Sequence, residues 1–133
     1  MGLGTSWGSL GLATKRVALR GQHFVGLVFN SLGRDADRKT CKGMKGLIAE
    51  GEEYVKARGD NATIDAALIF GAQRVEHYEM AVYGTLRTYA RALGHEDQAT
   101  LLQQSLEEES AADSQLTRLA ESGINVKAAV PAE

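Results

Sequence analysis

Proline and cysteine each occur once in this chain of 133 residues, and the scarcity of each restricts the fold. The one proline, Pro131, lies near the C-terminal end, so the body of the chain contains no residue that would break a long helix. Cys41 has no second cysteine with which to form an internal disulfide or the paired spacing of zinc and thiol-redox motifs. A reduced, cytoplasmic setting is therefore expected.

A strong net charge and a long apolar run are missing as well. The formal net charge is −2, which gives no field that would attract nucleic acid or acidic lipid. No uncharged apolar run reaches the roughly 18 residues of a membrane-spanning helix. The phosphate-binding loop, the nucleophile elbow and the HExxH and CxxC motifs are also absent. We expect a soluble protein without a nucleic-acid or membrane partner, and the sequence gives no support for a hydrolase or a nucleotide enzyme.

Acidic residues are missing from the first 33 positions, which hold seven of the fifteen glycines. Each glycine inside a helix costs roughly 1 kcal/mol relative to alanine, so this composition disfavours regular structure. We predict an irregular or unmatched segment over residues 1–27, with a short helix around 24–32. A partial helical domain is predicted over residues 28–125, followed by a flexible tail over 126–133.

From residue 35 onward the composition becomes that of a helical domain, and the predicted fold class is all-α. Apolar spacing predicts a short helix over 41–56 and long helices over 63–93 and 95–122. Asn61 or Thr63 is expected to cap the first long helix, while Gly94 and Gly123 are expected to end the two long helices. Because the connection at Gly94 is so short, the long helices are predicted to form an antiparallel hairpin.

Each long helix carries an apolar stripe at helical spacing. The first stripe contains Ile69, Ala72, Val75, Val82, Tyr83 and Leu86, and the second contains Leu102, Leu106, Leu116, Leu119 and Ala120. Glu76 and Glu79 lie within the first stripe, and Glu109 and Asp113 lie within the second. Four carboxylates therefore occupy positions at which leucine would be usual.

Ionised carboxylates buried side by side are unfavourable by several kcal/mol each unless cations neutralise them. A divalent metal does this most completely, and helical bundles build di-iron and di-manganese sites from carboxylates one turn apart. The alternative is that Glu79 and Asp113 reach the edge of the stripe and form solvated ion pairs with Arg74, Arg87 or Arg118. Cys41 is interpreted as an unreactive thiol, since no histidine or second cysteine lies near it in sequence.

Four stretches of the sequence resemble the YciE/YciF family of bacterial ferritin-like proteins. They are CKGMKGLIAEG at 41–51, DAALI at 65–69, QRVEHYEMAVYGTL at 73–86 and LEEESAAD at 106–113, and the resemblance covers about residues 28–125. It implies a four-helix bundle with a di-iron or iron/manganese centre, usually dimeric and described as stress-associated or ferroxidase-like. It also implies that Glu76, Glu79, Glu109 and Asp113 are the metal ligands.

The sequence departs from this family at its N-terminal end. Family members begin with two further long helices that supply a glutamate and a Glu-x-x-His-type pair, whereas the acidic ligands are absent upstream of residue 28 here. We therefore expect a ferritin-like bundle truncated to a long antiparallel hairpin and a short preceding helix, with impaired ferroxidase-like activity. A homodimer of hairpins would restore four helices. The alternative function is a non-catalytic helical module for dimerisation or interaction.

Overall fold

The computed structural model describes residues 25–36 and 39–130, and these residues form helices and turns with no strand among them. Helix α1 occupies residues 25–31 of this part. It is followed by α2 (Lys42–Lys56), α3 (Asn61–Ala92) and α4 (Glu96–Leu119). A π-helical turn, Ala120–Ile124, leads to the short helix α5 (Asn125–Ala128). The predicted all-α class is confirmed.

The N-terminal end of α3 is capped by a residue that the sequence analysis did not select. Asp60 accepts a hydrogen bond from the Thr63 backbone N–H through its Oδ1 at 2.9 Å, which is the usual capping geometry. The predicted cap at Asn61 or Thr63 is therefore wrong. Asn61 is already the first residue of α3. Asp60, directly before it, caps the helix by accepting from the otherwise unpaired Thr63 N–H.

The connection between α3 and α4 is a Schellman turn at Gly94. The His95 N–H donates to the Ala90 carbonyl at 2.9 Å, and the Gly94 N–H donates to the Arg91 carbonyl at 3.0 Å. Gly94 has a φ of 77°, which side chains with a Cβ rarely adopt. The predicted end of the first long helix is therefore seen in the structure.

The C-terminal end of α4 differs from the prediction. Regular helix ends at Leu119 rather than near Ser122, because the chain widens into the π-helical turn that contains Gly123 with a φ of 117°. The chain then becomes helical again in α5, which covers positions 126–128 at the start of the predicted flexible tail. The expected irregular segment over 1–27 falls largely on residues 1–24, outside the described residues, as do residues 131–133.

The chain divides into two compact units, and each includes part of α3 and part of α4. Of the described residues, 25–36 and Val82–Glu108 belong to the first, which we call the apolar unit. Its core consists of Tyr83, Ala90, Ala99 and Leu102, with Val25, Val28 and Leu106 packed against them. Described residues 39–81 and 109–130 belong to the second, which we call the carboxylate unit.

The buried side chains of α3 recur every seven residues, at Ile69, Glu76, Tyr83 and Ala90. On α4 Leu102, Glu109 and Leu116 keep this period, and Ala99 and Ser105 are buried as deeply as Glu109. This period is that of helices packed at a shallow angle. Including Val82 and Leu86 in the buried stripe was wrong, since both are exposed. Successive residues on a helix point about 100° apart, so burying Tyr83 turns Val82 away from the seam.

Helix α2 packs against α3 in the carboxylate unit through two reciprocal contacts between a glycine and a tyrosine. A Cβ at Gly43 of α2 would lie 2.9 Å from the Tyr78 ring, and a Cβ at Gly71 of α3 would lie 3.0 Å from the Tyr54 ring. Each helix therefore offers one glycine to the other helix's aromatic ring. This close approach positions α2 beside the part of α3 that carries the glutamates.

Candidate metal site

Two glutamates occupy seam positions at which the neighbouring repeats carry apolar residues. Glu76 of α3 is 2% exposed and Glu109 of α4 is 1% exposed, so both carboxyl groups lie in the interior of the carboxylate unit. Their side chains share a hydrogen bond. Two carboxyl groups can do so only when one of them keeps its proton.

Glu79 completes a cluster of three carboxylates. It lies one turn after Glu76 on α3 and is half-buried. One oxygen from each of Glu76, Glu79 and Glu109 can be chosen so that all three lie within 4.8 Å of one another. Within residues 25–36 and 39–130, these are the side chains that meet the distance requirement of a metal site.

The electrostatics of the cluster favour either protons or a cation. Burial raises the pKa of Glu76 above its usual range, and the charges of Glu79 and Asp113 raise it further, whereas the hydrogen bond with Glu109 acts in the opposite direction. Burial, together with the charge of Glu109, raises the pKa of Glu79 to about 7. Both shifts show that a full set of negative charges is unfavourable here without a compensating positive charge.

One oxygen of the cluster has no hydrogen-bond partner. The Oε2 atom of Glu76 is buried and accepts no hydrogen bond from the part of the chain that the structure describes. Buried polar atoms are normally satisfied, so an orphaned carboxylate oxygen requires an explanation. A cation among the three carboxylates would supply the missing interaction.

Asp113, the fourth predicted ligand, lies outside this three-residue cluster. Its Oδ1 accepts a hydrogen bond from Gln73 Nε2 at 3.0 Å and lies 3.1 Å from His77 Nε2. Asp113 is nevertheless near enough for its charge to act on Glu76. The structure thus gathers three of the four predicted residues and places the fourth beside them, bound to other side chains.

Two of the three arginines that offered an alternative explanation pair with other residues. Arg74 pairs with Glu50 of α2, and Arg87 donates a hydrogen bond to Gln103 of α4. Asp113 is paired with His77 rather than with an arginine. Neither Arg74 nor Arg87 is therefore seen to neutralise the predicted carboxylates.

Sequence reasoning missed two features of the carboxylate unit. Gln73 lies one turn before Glu76 and donates to both Asp113 and Thr117, the latter at 2.9 Å. Its position on the same helical face as Glu76 was the available signal. Cys41, which caps α2, lies 2.8 Å from the Tyr78 hydroxyl, and this hydrogen bond lowers the pKa of the thiol. No local pattern predicts a contact between residues so far apart in sequence.

The three carboxylates suit a divalent cation chemically. Three carboxyl groups offer up to six oxygen atoms, and oxygen donors are the ligands that Mn²⁺ and Fe²⁺ accept in helical bundles. The short distances, the burial and the orphaned oxygen of Glu76 all agree with such an ion. The residues present therefore fit a metal at this position.

The comparisons with known proteins agree with the resemblance seen in the sequence. The chain is 50% identical to the protein YciF of Escherichia coli strain K12 over 91 residues, which are 68% of this chain and 55% of that relative. The alignment thus spans about half of YciF's length. The crystal structure of the E. coli stress protein YciF matches with a TM-score of 0.75 at 37% identity, covering 88% of this chain and 86% of that one.

A second solved structure also has the same fold. YcfI of Rhodopseudomonas palustris, for which a structural role has been suggested, matches with a TM-score of 0.68 at 31% identity and covers 82% of both chains. The fold is thus ferritin-like as well as all-α. The sequence profile of the domain of unknown function DUF892 matches residues 19–129, a longer range than the resemblance had covered. The chain therefore belongs to the DUF892 family, to which YciF-like proteins are related.

Proposed function

We propose that this protein is a ferritin-like metal-binding protein in which Glu76, Glu79 and Glu109 hold a divalent iron or manganese ion. The observation that supports the proposal most directly is the buried Glu76 Oε2, which has no hydrogen-bond partner and belongs to a cluster of three carboxylates. An uncompensated carboxylate in the interior costs several kcal/mol, whereas one that coordinates a cation does not.

The chemistry that we propose for the loaded site is ferroxidase-like. Bound iron would supply electron transfer to O₂ or peroxide, and the protein would supply ligands and exclude water. The protein's own contribution is seen in the seam, where apolar neighbours and helix packing hold the three carboxyl groups within one cluster. A di-metal centre needs more ligands than these three, so we propose one well-held ion per chain. A second ion would depend on additional ligands, from Asp113 or from a partner chain.

Anaerobic loading with Mn²⁺ or Fe²⁺ tests the proposal. We expect the wild-type protein to bind the metal saturably and to gain thermal stability, because a ligand at one hundred times its Kd adds about 2.7 kcal/mol. The variant Glu76→Gln/Glu109→Gln should lose both effects, since amides keep the shape of the side chain and remove the negative charge. Metal content by elemental analysis and Tm by calorimetry are the measurements.

A matched control uses two exposed glutamates of the same unit. Glu53→Gln/Glu121→Gln removes the same formal charge from the surface and should leave metal uptake and the metal-dependent Tm shift unchanged. Equal uptake by all three proteins would mean that the buried cluster is not the binding site.

A second candidate function is helical association, which a different surface favours. Val82, Leu86 and Tyr89 of α3, together with Leu93 directly after it, are all exposed and recur at intervals of four, three and four residues. Such a stripe is the usual contact of packed helices. The partner we propose for it is a second copy of this chain, in agreement with the homodimer predicted from the sequence. Leu86→Lys should shift the mass measured by light scattering from dimer to monomer, and a monomeric wild-type protein would reject this candidate.

A stress-associated role is proposed by analogy with YciF, which is described as a stress protein. No helix in the described part of the chain is both long and apolar enough to cross a membrane. The cytoplasmic location expected from the cysteine content stays a prediction.

A further inference from the structure

A bridge of polar side chains joins α3 to α4 beside the carboxylate cluster. Gln73 Nε2 donates to Asp113 Oδ1 at 3.0 Å and to Thr117 Oγ1 at 2.9 Å. His77 Nε2 lies 3.1 Å from the same Asp113 oxygen. Gln73 and His77 flank Glu76 on α3, and Asp113 lies one turn after Glu109 on α4. The bridge therefore links α3 to α4 at the edge of the carboxylate cluster.

Exposure falls steadily along this bridge towards the cluster. The His77 side chain is 66% exposed and that of Asp113 is 21% exposed, whereas Glu76 as a whole is 2% exposed. The charge of Asp113 acts on Glu76, so the aspartate lies near both the exposed histidine and the buried glutamate. Ordered by exposure, the three residues form a line from solvent to the interior of the unit.

An open groove gives access to the exposed end of this line. It has a volume of about 550 Å³ and is lined by Leu47, Phe70, Gln73, Arg74, His77 and Tyr78. Its cationic side chain, Arg74, pairs with Glu50 and lies 5.3 Å above the Phe70 ring, so its positive charge is largely compensated. A hydrated cation in the groove would meet the His77 imidazole and then the Asp113 carboxylate.

A divalent cation must lose its water ligands to enter a cluster whose central residues are 1–2% exposed. Losing them all at once is costly, because the ion would be desolvated before the protein ligands replace the water. Imidazole nitrogen and carboxylate oxygen both coordinate Mn²⁺, Fe²⁺ and Co²⁺. A half-exposed His–Asp pair can therefore exchange water for protein ligands in two steps.

We propose that His77 and Asp113 form an outer, transient cation site through which divalent metal reaches Glu76, Glu79 and Glu109, with Gln73 positioning the aspartate. This inference rests on the metal site of the proposed function and adds the route by which the site is filled. It assigns Asp113 to the entrance, whereas the sequence analysis had placed it among the permanent ligands.

The rates of loading and release distinguish a route from a ligand. Co²⁺ is a suitable probe because its visible absorption reports coordination, so loading can be followed by stopped flow and release by adding a chelator. Removing a step on the path slows entry and exit together and leaves their ratio, the Kd, nearly unchanged. For His77→Asn we expect both rates to fall at least threefold while the Kd changes less than twofold.

The control for His77→Asn is His95→Asn, which changes an exposed histidine of the apolar unit and should load and release at wild-type rates. A His77→Asn protein that loads and releases at the same rates as wild type would overturn the proposed route. So would faster release with unchanged loading, because that pattern belongs to a ligand of the bound ion.

A second variant tests the aspartate by its charge. Asp113→Asn should slow loading at least as much as His77→Asn and should make the loading rate less sensitive to ionic strength, because an attractive charge at the entrance has been removed. A salt dependence equal to that of wild type would contradict the role of Asp113. If wild-type protein binds no Co²⁺, the cluster itself fails. If it binds Co²⁺ while both variants load normally, only the route fails.

Discussion

The apolar unit and the carboxylate unit draw on the same two long helices but fill the buried side of those helices with opposite chemistry. In the apolar unit the buried positions hold Tyr83, Ala90, Ala99 and Leu102. In the carboxylate unit the seven-residue repeat continues, yet Glu76 and Glu109 take two of the most deeply buried positions. One repeat thus serves two purposes, because a backbone position that suits leucine also directs a glutamate into the interior.

The buried apolar residues stabilise the fold, whereas the buried glutamates serve the proposed metal binding. Burying Leu102 removes apolar surface from water, which favours folding. Burying Glu109 desolvates a carboxyl group, which opposes folding unless a proton or a cation compensates. The comparison predicts that substitutions at the buried positions of the two units will change stability in opposite directions.

The largest effect is expected for Leu102→Ala in the apolar unit. Removing a buried leucine side chain leaves a cavity and should lower the free energy of unfolding by about 2–4 kcal/mol. Urea unfolding in the presence of a chelator measures this loss of stability. Leu93→Ala is the control, because this leucine of the same unit is exposed and its loss should cost less than about 0.5 kcal/mol. Similar costs at both positions would contradict the assignment of the core.

The double variant Glu76→Gln/Glu109→Gln is expected to raise the free energy of unfolding of metal-free protein, whereas Leu102→Ala lowers it. Neutral amides have a smaller desolvation cost than carboxylates, so the free energy of unfolding should rise by about 1–3 kcal/mol. The same urea titration measures the change, with Glu53→Gln/Glu121→Gln as the surface control. A metal-free double variant less stable than wild type would show that the glutamates contribute net stability without a cation.

A smaller change in stability is expected when the pH of metal-free protein is raised. The pKa of Glu79 is raised to about 7 and that of Glu76 is also raised, so each binds its proton more tightly in the folded state than in the unfolded state. The stability that Glu79 contributes is complete below its unfolded pKa of about 4.3 and is lost as the pH rises through about 7, and the contribution of Glu76 is lost in the same direction. Tm should therefore fall by several degrees between pH 5.5 and pH 8. Glu79→Gln should flatten this dependence, and an unchanged slope would contradict the assignment to Glu79.

The smallest effect is expected from two glycines of α2 that differ in surroundings. A Cβ at Gly46 meets nothing within 4 Å, so Gly46→Ala should raise the free energy of unfolding by about 0.5–1 kcal/mol. A Cβ at Gly43 would lie 2.9 Å from the Tyr78 ring, so Gly43→Ala should displace that ring and remove most of the gain. Chemical unfolding of the two variants measures the difference. Equal stabilisation would show that α2 does not depend on the close approach at Gly43.

The long helices could be predicted closely because their signals are local. Periodicity and the glycine at position 94 placed the ends of α2 and α3 and the start of α4 within two residues of their observed positions. The C-terminal end of α4 was placed less well, because the sequence does not distinguish a simple helix end from the wider turn around Gly123.

The site could be predicted only in part, because its final geometry depends on side-chain partners. Periodicity placed Glu76, Glu79 and Glu109 on the inner faces, and the structure brings them together. It could not show that Gln73 and His77 engage Asp113, since that depends on which side chains face it from the opposite helix. A broad stripe likewise does not reveal which of Val82 and Tyr83 is buried, and only the packed seam decides that.

The Schellman turn at Gly94 also bears on the order in which the hairpin assembles. Ala90 and Ala99 lie on either side of this turn and close in sequence, so bringing them together costs little loop-closure entropy. Glu76 and Glu109 are much further apart along the chain, and their contact must form against electrostatic repulsion. Folding is therefore expected to nucleate at the turn and to reach the acidic cluster last, so a cation that binds there would slow unfolding more than it speeds folding.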